Sequence, residues 1–99
     1  MSVGDTFDVD PAFLHLPGAR QDGADPTKLH RQLLRNGTSV AGMPPVEVMY
    51  GSDGEMVIFD GVTRATRVAK YLPGVLIPVE VTGRLAGPVG NLPLVGDRI

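Results

Sequence analysis

The chain has 99 residues, 42% of them hydrophobic, with no cysteine and a formal net charge of −2. A chain of this length holds one hydrophobic core and has no room for a second. The missing cysteines exclude a disulfide framework, a thiolate nucleophile and a cysteine-based zinc site. The longest apolar run, residues 75–79, is far too short to span a bilayer, and the acidic residues 1–10 are unlike a targeting peptide. A cytoplasmic protein without membrane association is expected.

The small net charge conceals an uneven distribution. Residues 1–25 carry Asp5, Asp8, Asp10, Asp22 and Asp25 against Arg20, whereas residues 61–84 carry Arg64, Arg67, Lys70 and Arg84 against Glu80. The second half therefore holds the cationic face on which an anionic partner would dock.

In chain order, residues 4–10 alternate weakly up to Pro11, which predicts a short edge strand. Residues 14–23, with Pro17-Gly18 and Asp22-Gly23, read as a mobile loop. Asp25 is a fitting helix cap with Pro26 at the first helical position, and Leu29, Leu33 and Leu34 follow at helical spacing until Asn36-Gly37. Lys28, Arg31 and Arg35 lie beside those leucines as a basic face that solvation alone would explain. Residues 45–50 and 55–59 flank Gly51-Ser52-Asp53-Gly54 as two strands of a hairpin. After Asp60-Gly61, the positions of Val62, Ala65, Val68, Ala69 and Leu72 predict a second helix, closed by Pro73-Gly74. Residues 75–81 are β-branched, and Pro78 among them argues for an edge strand or a bulge. From Gly83 onward glycine and proline recur so often that Leu92 to Val95 is the main apolar stretch left. This tail, 84–99, either adds a short strand to a domain of residues 1–83 or docks only within a larger protein. The pattern implies an α+β domain with a small mixed sheet and two helices.

Chemistry concentrates where the hairpin passes into the second helix. The first amides of a helix lack intrahelical acceptors, and the helix dipole adds partial positive charge there, so such a start attracts anions. Gly61 permits a sharp turn and close approach of a ligand, and Thr63 offers a hydroxyl or a cap. Arg64 and Arg67 are neighbours on one helical face, and their guanidinium forks suit phosphate oxygens. Lys70 continues the strip and Tyr71 offers a ring for stacking. The expected phosphate-binding set is Gly61, Thr63, Arg64, Arg67 and Lys70. The competing expectation is ordinary turn chemistry, with Thr63 as a cap, Asp60 paired to Arg64, and Arg67 and Lys70 solvated.

Three segments carry a resemblance: Met43-Pro44-Pro45-Val46-Glu47-Val48, then Val57 through Lys70, then Ile77-Pro78-Val79-Glu80-Val81. Over roughly residues 4–82 the chain resembles the ParB/sulfiredoxin superfamily, and most of all the ParB-like nuclease domains of bacterial toxins. In chromosome-partitioning members the corresponding turn is Gly-Glu-Arg-Arg and binds the phosphates of CTP. Gly61 and Arg64 match, while Val62 and Thr63 depart from it. Sulfiredoxins carry Gly-Cys-His-Arg there, and a chain without cysteine has no sulfiredoxin chemistry.

The resemblance implies phosphate recognition, phosphodiester cleavage in the manner of toxin-type members, and a cognate inhibitor protein as a partner. Cleavage needs a proton acceptor and stabilisation of charge. Arg64 and Arg67 are the candidates for the second role, and His30 and Asp60, with His15 behind them, for the first. One carboxylate beside a glycine is no magnesium site, so no metal or other cofactor is expected. Three functions stay open: a nuclease acting on nucleic acid or a nucleotide, a non-catalytic module binding a nucleotide, nucleic acid or protein, and a structural domain.

Overall fold

The computed structural model describes residues 3–99. Met1 and Ser2, which the sequence assigns to the same domain, lie outside the described residues. The architecture is α+β: strands β1 (Thr6–Val9), β2 (Val46–Tyr50), β3 (Met56–Asp60) and β4 (Ile77–Arg84), with helices α1 (Pro26–Asn36) and α2 (Val62–Tyr71). The sheet is mixed, in the order β1-β4-β2-β3. β1 runs antiparallel to β4, β2 antiparallel to β3, and β2 parallel to β4.

Alternation puts Val46, Val48 and Tyr50 of β2 and Ile77, Val79 and Val81 of β4 on one buried face. Against that core α2 lays Val62, Ala65, Val68 and Ala69, the positions at which its apolar residues recur. Because this helix fills the layer above the central strands, its first turn is held at the end of β3. Asp25 caps α1 as its position suggests, its carboxylate accepting from the Thr27 amide at 2.8 Å.

Four expectations need correction. β4 is not an edge strand but lies between β1 and β2, and the irregularity in its ladder with β2 falls between the pairs Val48–Val81 and Met49–Gly83, away from Pro78. Pro78 is tolerated because its partner is Asp8 of β1, and the ladder with β2 begins one residue later at Val46–Val79. The loop of residues 14–23 is not free at its start. Leu14 and Leu16 are fully buried, and His15 lies between β3 and the tail, donating its amide to Met56 and accepting from the Ile58 amide. The leucines of α1 do not all pack, for Leu29 is buried while Leu34 is 75% exposed. Finally, the tail adds no strand. It makes one isolated bridge, Leu94 to His15, and a turn of 3₁₀ helix at Val95–Arg98 that inserts Val95 into the core of this same domain.

Candidate anion-binding site

The β3–α2 turn owes its shape to Gly61, whose φ of 109° is open to glycine and strained for other residues. A Cβ at this position would stand 2.8 Å from Arg64 Nη2 and 3.2 Å from Val46 Cγ2. The Ala65 amide donates to the Gly61 carbonyl at 2.9 Å and closes the first turn, leaving the amides of Val62, Thr63 and Arg64 with no intrahelical acceptor. No side chain caps this end, so Thr63 does not act as a cap. It is largely buried and lines the cleft that opens at the turn.

That cleft, about 210 Å³, is walled by three segments distant in sequence. The turn contributes Asp60, Gly61, Thr63 and Arg64, α1 contributes Lys28 and Gln32, and the segment after β1 contributes Arg20. Three cations face one carboxylate. Arg64 is partly engaged: its Nη2 donates to the Pro45 carbonyl at 3.3 Å and lies 3.8 Å from Asp60 Oδ2. The Asp60 side chain is 65% exposed, which leaves its charge well solvated and its hold on Arg64 weak. The expected pairing of Asp60 with Arg64 is thus present, and the cleft stays cationic beside it. Phe59 also stands at its rim, 63% exposed, a large apolar ring held out of the core.

The predicted residues divide. Gly61, Thr63, Arg64 and Asp60 come together at the turn. Arg67 does not join them: it is 2% exposed and lines a second, smaller cleft of about 100 Å³, with Arg64 and Gln32 common to both. The expectation that Arg67 is solvated fails because the 39–44 loop covers that part of α2, and Met43 meets the guanidinium through its thioether at 3.2 Å. Burial first, and then the nearby Arg64 charge, push the pKa of Arg67 down. Lys70 leaves the strip altogether. Its ammonium lies 5.5 Å from the centre of the Tyr71 ring, and the residue lines a separate hollow with Asp22 and Arg98. Tyr71 lines neither cleft, so the ring available at the site is Phe59.

Neither histidine reaches the turn. His30 is exposed on α1, half a turn away from the Lys28–Gln32 side that faces the cleft. His15 is committed to structure, with Nδ1 2.8 Å from the Leu92 carbonyl and Nε2 3.6 Å from Glu55. Among the described residues no group of three or more His, Cys, Asp or Glu could hold a metal ion, and no helix is long and apolar enough to cross a membrane.

Sequence reasoning missed two cations of the cleft. Lys28 was legible in principle: burying Leu29 turns the Lys28–Gln32 side of α1 toward the neighbouring helix. Arg20 has no local signal, since a turn in which its amide donates to the Pro17 carbonyl delivers it across the fold. Comparison of the chain with models of known protein families, with curated proteins and with solved structures gives no match.

Proposed function

We propose that this domain has the ParB/sulfiredoxin-like fold and binds the phosphate of a nucleotide or nucleic acid at the start of α2. The observation that carries this reading is the convergence of Arg20, Lys28 and Arg64, from three separate segments, on the free amides that follow Gly61. Solvation explains a row of cations along one helix, but it does not explain why three distant parts of a chain with net charge −2 gather theirs at one helix start. Phe59 favours a nucleotide unit over a bare anion, because an exposed ring beside a phosphate subsite can take a stacked base. The motif from Val57 to Lys70 supports the family likeness, as does the α+β architecture with its mixed sheet and two helices.

The test is titration of the protein with inorganic phosphate and with labelled single-stranded oligonucleotides over a range of salt. Affinity for the oligonucleotide falls as salt rises. Arg64→Ala weakens both ligands by about tenfold, the loss of one hydrogen-bonded charge. Phe59→Ala weakens the oligonucleotide by about 1–3 kcal/mol and leaves phosphate unchanged. An absence of salt-dependent binding contradicts the proposal and leaves a structural domain as the surviving account.

Asp60 favours a second reading, cleavage of the bound phosphodiester. Among the described residues that line the cleft it is the one carboxylate, and it stands beside Arg64. There it would accept a proton from an attacking water while Arg64 stabilises the developing charge. Incubation with labelled RNA and DNA, with and without magnesium, decides this point. In a nuclease Asp60→Asn loses cleavage and keeps binding, whereas a wild-type protein that leaves every substrate intact is a binding module.

A further inference from the structure

The second cleft lies between the end of α1, the 39–44 loop and α2. Arg67 is buried there with no carboxylate in ion-pair reach among the described residues. Its Nη2 donates to the Met43 sulfur, a weak acceptor, and its Nε and Nη1 have no acceptor. A guanidinium removed from water without an opposite charge is strongly penalised, and the repulsion from Arg64 adds to that penalty. Two further atoms on the same cleft's residues are buried without partners, Arg64 Nε and the acceptor Gln32 Oε1. Buried polar groups are nearly always paired, so a cleft whose buried guanidinium has two nitrogens without acceptors is matched by an oxyanion.

Resting on the reading of the first cleft as a phosphate site, we propose that the second cleft is a separate oxyanion subsite. In it a phosphate takes the place of the Met43 thioether on Arg67. The complete ligand then carries two phosphates in one chain, with Arg64, which lines both clefts, between them. Met43 is suited to give way, because an unbranched thioether side chain moves between rotamers at little cost. Arg67 suits the role because a planar fork held in place by packing meets an oxyanion with two donors at once.

Calorimetric titration with inorganic phosphate and inorganic pyrophosphate tests the second subsite. The wild type binds pyrophosphate about tenfold more tightly than phosphate, as expected for an added charge-assisted contact. Arg67→Met removes that margin. It also melts no lower than the wild type in phosphate-free buffer, since it replaces an uncompensated buried charge by an apolar chain. If Arg67→Met does not fold, Arg67→Lys, which keeps the charge and loses the fork, is judged by the same margin. A margin that survives in the variant, or a wild type that takes up both anions equally, overturns the proposal. Lys28 lines the first cleft and not the second, so phosphate affinity indifferent to Lys28→Ala counts against the first cleft and leaves the Arg67 margin as an independent readout. A nucleoside diphosphate and a 5′-phosphorylated dinucleotide, titrated side by side, identify which source of paired phosphates the protein prefers.

Discussion

Gly61 shows how much one residue decides. Its left-handed backbone ends β3, starts α2 without a side-chain cap and leaves three amides with no intrahelical acceptor on residues that line the cleft. Placing alanine at φ 109° costs about 1–3 kcal/mol in backbone strain, and its methyl would stand 3.2 Å from Cγ2 of Val46, a core residue that would have to shift. Gly61→Ala therefore lowers the urea midpoint of unfolding and weakens phosphate binding together. A variant with unchanged stability would show that the turn relaxes freely. Arg64 and Arg67 carry the complementary lesson. Spacing made them neighbours on α2, and the 39–44 loop then gave them different surroundings, Arg64 lining both clefts and Arg67 buried beneath Met43 in the second.

At the scale of elements, the β2–β3 hairpin does more than reverse the chain. Asp53, which the sequence suggests is merely a turn residue, accepts hydrogen bonds from the amides of Gly90 at 2.8 Å, Val89 at 3.2 Å and Glu55 at 3.3 Å, and so ties the hairpin to the tail. Desolvation of its carboxyl works to raise the pKa, but the backbone amides together outweigh it and hold the group below the usual carboxylate value. A depressed folded pKa means that the stabilisation is present above the unfolded pKa and is lost as pH falls through the folded one. Asp53→Ala accordingly lowers the melting temperature at pH 7, and the gap from the wild type narrows in acid below about pH 4. A gap of constant size from pH 7 down to acid would show that the carboxylate charge plays no part. Element identity was otherwise well marked. The cap at Asp25, the hairpin and the periodicity of α2 all rest on neighbours in sequence, and all three appear where those neighbours put them. The position of β4 was not legible, because whether a strand is central depends on what pairs with its two sides, and the proline signal concerned only one of its donors.

For the whole molecule, local pattern determined the α+β class, the two helices, the hairpin and the turn on which the candidate site stands. These follow from short-range physics: side-chain periodicity, caps and the backbone freedom of glycine. The tertiary structure decided everything that requires two distant segments to meet. It brought Arg20 and Lys28 to the start of α2, sent Lys70 away from it, buried Arg67, and packed into the core a tail expected to add a strand or to dock only within a larger protein. A charge's place in the sequence says which face of its own helix it occupies. What stands opposite that face is set by the packing of the other elements, and there a row of cations becomes either a solvated surface or a site.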